Sequence, residues 1–281
     1  MSVREISVDE ITKTIRRLCM ESNTNLGDDV IEAYKKGLET EDSPVAKDIF
    51  RQYLENAKIS KEEGIALCQD TGLAVVFVEL GQDVHIVGGD LYKAIDEGVR
   101  QGYKDGYLRP SSLDPLTRKN FGDNTPAIVH IEMVPGDKLK LTVAPKGFGS
   151  ENMSRVVLFA PAVGVEGVKK YIIQRVDESG PNPCPPVVVG VGIGGTFEKA
   201  ALIAKKAITR PLGQRNPNPD IAKLELELLE EINKLGIGPQ GLGGKVTAFD
   251  VHIETYPTHI ASIPVAVNIQ CHCDRHKEAV L

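Results

Sequence analysis

The chain has 281 residues, of which 41% are hydrophobic and 26% charged, a composition typical of a soluble globular protein with a proper core. Its formal net charge is −6 with both signs interleaved, which argues against a nucleic-acid binder or a membrane-surface protein, since those carry clustered Lys and Arg. No apolar run approaches the roughly 18 residues of a membrane span, and the charged start "MSVREISVDEI" is unlike a secretory signal. Five cysteines, an odd number, fit a reducing compartment better than a disulfide framework, so we expect a cytoplasmic protein.

The beginning of the chain has the pattern of a helical section. Ser7 followed by Glu10 forms a capping box, and the apolar residues behind it, including Cys19, recur at helical spacing. Two more helical patterns follow, "DDVIEAYKKGLE" and "SPVAKDIFRQYLENAKIS". We therefore expect helices over about residues 1–60.

The rest of the chain mixes strand and helix patterns. "LAVVFVEL" predicts a strand, "DLYKAIDEGVRQGYKDG" a helix that ends at Gly106, and "AIVHIEMV" with "KLKLTVAP" a hairpin around the turn "PGD". The segment "KVTAFDVHIETYPTHIASIPVAVNIQ" predicts two further strands. The expected fold is α/β (mixed α+β), with a mixed-sheet core over about 61–281, in a single domain spanning 1–281.

A glycine motif lies between the predicted strand "VVVGVGIGG" and the helix "TFEKAALIAKKAI", for which Thr196 is the expected N-cap. Gly190, Gly192 and Gly195 formally satisfy the dinucleotide fingerprint. The acidic residue expected about twenty residues further on is missing, however, because Asp220 falls in a Pro/Asn-rich loop. We favour close packing of the strand against the helix, with an anion at the helix N-terminus as an alternative.

Four cysteines, Cys68, Cys184, Cys271 and Cys273, lie at element boundaries among Gly, Pro and polar residues. They are far apart in the sequence, unlike the compact pairs of zinc ribbons and ferredoxins, which suggests a catalytic metal held at the centre of a fold. Zinc held by three thiolates with His272 or His276 would be a closed structural site, whereas a cubane iron-sulfur cluster on three thiolates leaves one iron open. A third, weaker interpretation makes Cys68 a nucleophile.

The stretch "ALCQDTG" adds a carboxylate, Asp70, directly before the buried strand. Such a carboxylate needs a partner, solvent or a chemical role, and beside an open iron it is able to exchange a proton with a substrate hydroxyl. The loop "YLRPSSLDPLTRKNFGDNTP" is unusually long and rich in Pro, Asn and Asp, which favours an ordered, functional segment.

Five motifs, "ALCQDTG", "YLRPSSLDPLTRKNFGDNTPA", "KGFGSEN", "NPCPPVVVGVGIGGT" and "VNIQCHCDRH", occur here in one order over nearly the whole chain. In these motifs the sequence resembles the iron-sulfur fumarases (class I fumarate hydratases) and the related L(+)-tartrate dehydratases, and it looks like the alpha subunit of their two-subunit form. The resemblance implies a lyase subunit that reversibly hydrates fumarate to L-malate. L(+)-tartrate dehydratase is the first alternative, and a non-catalytic zinc or iron-sulfur binding protein is an alternative of another class.

The resemblance also implies the residue roles. Cys68, Cys184 and Cys271 would ligate a 4Fe-4S cluster at the centre of the fold, although Cys273 would face the same side of an extended segment as Cys271. The substrate-binding residues would be Gln69, Asp70, Arg109 and the main chain of Gly149, with Asp70 as the proton partner of the hydroxyl. The alternative for Arg109 is a loop ion pair with Asp114 or Asp123.

The resemblance finally implies a partner. Single-chain members of the family continue into a second domain that supplies a catalytic base and further Arg and Lys residues, whereas this sequence stops at Leu281. We therefore expect a hetero-oligomer in which a separate beta subunit completes the site, and an isolated chain without activity.

Overall fold

The computed structural model describes residues 3–281, which form eight α-helices and ten β-strands and confirm the expected mixed α/β fold. The helices are α1 (Val8–Thr24), α2 (Asp28–Thr40), α3 (Pro44–Glu63), α4 (Leu91–Asp105), α5 (Phe148–Glu151), α6 (Gly164–Ser179), α7 (Phe197–Ala207) and α8 (Pro219–Asn233). The strands are β1 (Arg4–Ser7), β2 (Leu73–Gly81), β3 (Val84–Val87), β4 (Ile128–Val134), β5 (Leu139–Lys146), β6 (Arg155–Phe159), β7 (Val187–Gly194), β8 (Ala248–Tyr256), β9 (Ile263–Gln270) and β10 (Lys277–Val280). None of the helices within residues 3–281 is both long and apolar enough to cross a membrane.

Two compact units divide the chain, and each is assembled from separate stretches of sequence. The first unit contains the described part of residues 1–27 together with Asn56–Gly147 and Arg275–Leu281. The second contains Asp28–Glu55 and Phe148–Asp274. The three N-terminal helices are therefore shared between the units, with α1 in the first and α2 in the second. The single domain expected from the sequence stays a prediction.

The first unit is built on a four-stranded mixed sheet with strand order β10-β5-β2-β4 and on a parallel pair, β1 and β3. Helices α1 and α4 pack against each other, and their apolar faces join the sheet in one core. Helix α1 begins as predicted, because the Glu10 N–H donates to Ser7 Oγ at 3.2 Å. Helix α4 ends as predicted at Gly106.

The predicted hairpin of β4 and β5 is wrong. Strand β2 lies between them, parallel to β4 and antiparallel to β5. Its continuous apolar run is buried on both faces, which suits a central strand, whereas β4 is left at the edge. The "PGD" turn instead bonds to the segment directly after β2, where the Asp83 N–H donates to the Gly136 carbonyl at 2.9 Å.

The second unit contains another mixed sheet, with strand order β6-β9-β7-β8. Strand β7 is parallel to β8 and antiparallel to β9, and it carries the continuous apolar run that the sequence showed. Helix α7 packs on β7 and α8 on β8, and α6 contributes to the same core. The strands on either side of Pro257, β8 and β9, both form as predicted and are separated by β7.

The glycines of β7 allow α7 to approach the strand closely. A Cβ on Gly190 would lie 2.2 Å from the Ala204 carbonyl oxygen, and one on Gly192 would lie 2.1 Å from that of Ala200. Both distances are far inside van der Waals contact. The geometry supports the packing interpretation of "GVGIGG", because the main chain of the helix occupies the space that side chains would need.

Substituting Gly192→Ala is expected to destabilise the protein by about 1–3 kcal/mol, because the new methyl group forces α7 away from β7. Urea denaturation monitored by far-UV circular dichroism measures the change. The matched control is Gly89→Ala, where the nearest atom, on Val8, is 3.4 Å from the added Cβ. Equal stability of the two variants would contradict the packing role.

Candidate functional site

The loop between α3 and β2 holds a thiol and a carboxylate side by side. The Asp70 N–H donates to Cys68 Sγ at 3.4 Å, and the Gly72 N–H donates to Asp70 Oδ1 at 3.1 Å. Cys68 is half-buried, and Gln69, whose Oε1 lies 3.2 Å from Cys68 Sγ, is exposed. Local main-chain donors therefore fix both reactive groups at a position that solvent reaches.

Arg109 is brought to Asp70 by the long loop between α4 and β4. Arg109 Nη2 lies 3.1 Å from Asp70 Oδ1, and the Arg109 side chain remains 53% exposed. Ion pairs this accessible contribute little free energy, on the order of 0–1 kcal/mol. A ligand carboxylate is therefore able to compete with Asp70 for the guanidinium.

The alternative partners considered for Arg109 are engaged elsewhere. Asp114 Oδ1 accepts hydrogen bonds from Thr117 within its own turn. Asp123 Oδ2 pairs with Arg100 at 2.9 Å. The loop-pair interpretation of Arg109 is wrong in the structure, which places its guanidinium at Asp70.

The long loop is ordered by the fully buried side chain of Asn124. Its Oδ1 accepts from the Ser111 N–H at 2.7 Å and the Ser112 N–H at 3.2 Å, and its Nδ2 donates to the Gly72 carbonyl at 3.2 Å. The Thr71 hydroxyl donates to the Arg109 carbonyl at 3.1 Å. These hydrogen bonds hold the segment that carries Arg109 against the segment that carries Asp70, so the long loop is ordered.

Two residues that the sequence did not single out complete this group. Arg275 is 3% exposed, and its Nη2 donates to the Asp70 carbonyl. Its Nε and Nη1 are buried and have no hydrogen-bond partner in the described part of the chain. A Cβ on Gly147 would lie 3.1 Å from Asp70 Oδ2 and 3.9 Å from Arg275 Nη2, so both groups lie against the bare Cα. Arg275 belongs to the motif "CHCDRH", but nothing in the spacing of that motif points to Asp70.

The second unit contains the other predicted thiols. Cys184 is exposed, and its main chain has a φ of 54°, a left-handed conformation that only a minority of non-glycine residues adopt. Its carbonyl accepts from the His272 N–H at 3.2 Å, which joins the Cys184 loop to the segment of Cys271 and Cys273. The structure thus brings two of the predicted ligands onto hydrogen-bonded neighbouring loops.

Cys271 and Cys273 differ in accessibility. Cys271 is half-buried, whereas Cys273 is 2% exposed, and its Sγ lies 4.0 Å from the hydroxyl of Tyr34. Burial raises the pKa of the Tyr34 hydroxyl well above its usual value, and the nearby thiols raise it further, so this group stays protonated and donates hydrogen bonds.

Cys19 provides the contrast with the loop cysteines. It is fully buried in the core of the first unit, where burial raises the pKa of its thiol to about 12 and makes it inert. The five cysteines all lie within residues 3–281, and none of them forms a disulfide there. Within residues 3–281 no three or more His, Cys, Asp or Glu side chains are grouped to hold a metal ion.

Gly149 lies in α5, a short turn at the start of the second unit. Its main chain is exposed, and a Cβ there would lie 3.1 Å from the Asn182 carbonyl oxygen. Glu151 of the same turn pairs with Lys205 at 2.5 Å and accepts from Asn268 Nδ2 at 3.2 Å. The predicted main-chain donor is thus accessible on a turn that side chains hold in place.

The first unit therefore brings together Cys68, Gln69, Asp70 and Arg109. The second unit contains Gly149, Cys184 and Cys271. The carboxylate of Asp70 and the accessible guanidinium of Arg109 lie together beside a loop thiol, and groups of these types are able to exchange a proton and to bind a carboxylate, respectively.

Residues 12–280 match the family model described as Fumerase, fumarate hydratase. A protein of Methanocaldococcus jannaschii that carries the provisional name L(+)-tartrate dehydratase subunit alpha is 40% identical over 274 residues, covering 95% of this chain and 95% of that protein. L(+)-tartrate dehydratase subunit alpha of Escherichia coli is 34% identical in strain UTI89 and 33% in strain K12, each over 278 residues, covering 98% of this chain and 91% of the relative. The chain belongs to the fumarate hydratase family of hydro-lyases.

Proposed function

We propose that the chain is the alpha subunit of an iron-sulfur hydro-lyase that adds or removes water on a four-carbon dicarboxylate. The observation that carries this proposal is the pairing of Asp70 with Arg109 at 3.1 Å, directly beside Cys68. It supplies a proton-transfer group and a carboxylate-binding group at one accessible position, within a chain of the fumarate hydratase family.

The cysteines fit an iron-sulfur cluster by the chemistry of the donor set. Cys68, Cys184 and Cys271 would hold it, since all three lie on loops and are at least partly accessible, whereas Cys19 and Cys273 are buried. Each cysteine of a cubane binds a different iron, so the three thiols do not need to converge on one ion. When bound, a 4Fe-4S cluster on three thiolates supplies one open iron as a Lewis acid for the substrate.

The residues of this chain then have separate tasks. When substrate binds, Arg109 gives up its ion pair with Asp70 and binds a substrate carboxylate instead. The released Asp70 carboxylate then exchanges a proton with the substrate hydroxyl that is lost or gained. Gln69, exposed beside Cys68, orients the substrate, and the Gly149 N–H donates to it. Gly147 leaves Asp70 room, because a Cβ there would lie 3.1 Å from Asp70 Oδ2 and would require the carboxylate to shift.

The partner is a separate beta subunit. Removing a proton from a carbon next to a carboxylate requires a base and cations that stabilise the dianion formed. The relatives are named alpha subunits, which supports a partner that supplies these groups. The proposed assembly is therefore a hetero-oligomer whose site is complete only when both chains are present.

For the substrate, the named relatives favour L(+)-tartrate, which reverses the order given by the sequence alone. Fumarate hydration to L-malate is the second candidate, favoured by the description of the family model. The two substrates are separated by initial rates with L(+)-tartrate, fumarate and mesaconate, measured anaerobically on the cluster-loaded chain with its beta subunit. A higher kcat/KM for L(+)-tartrate supports the first candidate, and a higher value for fumarate supports the second. Turnover of none of the three substrates would contradict the proposed function.

Substituting Arg109→Lys is expected to raise KM by about 10-fold or more while kcat falls less, because an ammonium group cannot bind a carboxylate in the bidentate geometry of guanidinium. Steady-state kinetics with the preferred dicarboxylate measure the effect. Arg118→Lys, in the exposed turn of the same loop, is the matched control and should leave KM unchanged. An unchanged KM in Arg109→Lys would remove this residue from substrate binding.

A further inference from the structure

The two cysteine loops of the second unit, residues 181–186 and 271–274, are both contacted by one side chain from α3. Tyr53 is 8% exposed, and its hydroxyl donates to the Pro185 carbonyl at 3.2 Å, one residue after Cys184. Its ring stacks on the ring of His272, one residue after Cys271, with centroids 3.9 Å apart and planes 9° apart. A single side chain thus touches the neighbour of each predicted thiolate.

Gln240 strengthens the link between Tyr53 and the Cys184 loop. Gln240 Nε2 donates to Tyr53 Oη at 2.6 Å, and the Gln240 N–H donates to the Pro185 carbonyl at 2.8 Å. Tyr53, Gln240 and Pro185 therefore form a closed set of hydrogen bonds. Burial raises the pKa of the Tyr53 hydroxyl, so the group remains a donor throughout the ordinary pH range.

The main chain at this set is held in an uncommon conformation. Cys184 has a φ of 54° and Gln240 a φ of 55°, both in the left-handed region that residues with a Cβ avoid. Such conformations persist only where the surroundings determine them. The surroundings here are the hydrogen bond from the Cys184 N–H to the Pro181 carbonyl, at 3.0 Å, and the contacts of Tyr53 and Gln240.

We infer that Tyr53 is a positioning residue that fixes the Cys184 and Cys271 loops relative to each other, so that both thiolates are set before a cluster binds. The role of this positioning in holding a cluster rests on the proposed iron-sulfur function. The positioning of the two loops by Tyr53 is a property of this chain and does not depend on a cluster. Outer contacts of this kind commonly change metal affinity by about 10-fold to 100-fold when they are removed. Tyr53 touches neither substrate nor any predicted ligand sulfur, and it acts through Pro185 and His272.

Two variants separate the hydroxyl from the ring. Tyr53→Phe keeps the stacking on His272 but loses the bond to Pro185, whereas Tyr53→Leu loses both. We expect the reconstituted chain to release iron to a chelator under anaerobic conditions about 10-fold faster in Tyr53→Phe, and faster still in Tyr53→Leu. Tyr171→Phe is the matched control, because its half-buried ring packs edge-on to Phe159, and it should release iron at the wild-type rate.

A second measurement uses the chain without a cluster. Alkylation by iodoacetamide, followed site by site by mass spectrometry, should become several-fold faster at Cys184 and Cys271 in Tyr53→Phe and stay unchanged at Cys68. If Tyr53→Phe does not fold, Gln240→Gly weakens the same set of hydrogen bonds, since glycine keeps the left-handed main chain and removes the side chain that donates to Tyr53 Oη. Alkylation of Cys184 at the wild-type rate in that variant would also count against the inference.

The outcomes distinguish the inference from the proposed function. Wild-type rates of iron release and of alkylation in Tyr53→Phe would overturn the inference while leaving the hydro-lyase intact. A wild-type chain that takes up no iron and sulfide would instead defeat the proposed cofactor, and the alkylation of Cys184 and Cys271 would still decide whether Tyr53 positions their loops.

Discussion

Substituting Asp70→Asn is expected to lower kcat by about 10²-fold to 10⁴-fold, the usual contribution of a positioned acid or base, while the iron content stays at the wild-type level. An amide accepts the Gly72 N–H as the carboxylate does, so the loop should keep its shape. It cannot take up or release the proton of a substrate hydroxyl, however. Turnover by the complete enzyme and iron per chain, measured on the same preparation, test both parts.

The control is Asp114→Asn in the loop that carries Arg109. Asp114 caps its own turn by accepting from Thr117, a role that asparagine can fill, so activity should be close to that of the wild type. Loss of iron in Asp70→Asn would show that Asp70 supports the cluster rather than the proton transfer. Full activity in that variant would remove it from catalysis altogether.

The second large effect is expected from the cysteines of "CHC". Substituting Cys271→Ser should abolish the proposed cluster, because the half-buried thiol at this position is the accessible one. Cys273→Ser should retain the cluster, since Cys273 is 2% exposed and lies against the Tyr34 hydroxyl. Iron and sulfide analysis after anaerobic reconstitution measures both variants.

The variant pair is internally controlled, since both changes replace sulfur by oxygen two residues apart. Loss of the cluster in Cys273→Ser with retention in Cys271→Ser would exchange the two assignments. Cys19→Ser serves as a third variant that disturbs the core of the first unit without touching a loop thiol. Retention of the cluster in both Cys271→Ser and Cys273→Ser would contradict a ligand set of three cysteines that includes one of these two.

Much of the local structure follows directly from the sequence. The Ser7 cap, the helices of the N-terminal section and the buried strands β2 and β7 arise from capping chemistry and apolar periodicity, which act over a few residues. The family resemblance implies that Gln69, Asp70 and Arg109 all bind the substrate, and that assignment stays a prediction. Spacing alone does not bring two segments nearly forty residues apart to within 3.1 Å.

The features that the sequence missed depend on tertiary contacts. A turn between β4 and β5 indicates a hairpin, yet the insertion of β2 between them is decided by which strand must be buried on both faces. Arg275 bonds to the main chain of Asp70, and Tyr53 contacts loops more than 130 residues away. A residue pattern does not encode such partners, because each depends on where the rest of its unit places the other segment.

The most direct test of the central claim is the iron and sulfide content of the anaerobically purified chain, measured together with zinc. We predict about four iron atoms and four sulfide ions per chain, lost on exposure to air, as for a cluster held by three cysteines. One zinc ion per chain without sulfide would contradict the account and would point to the structural metal site that the cysteines alone also allow.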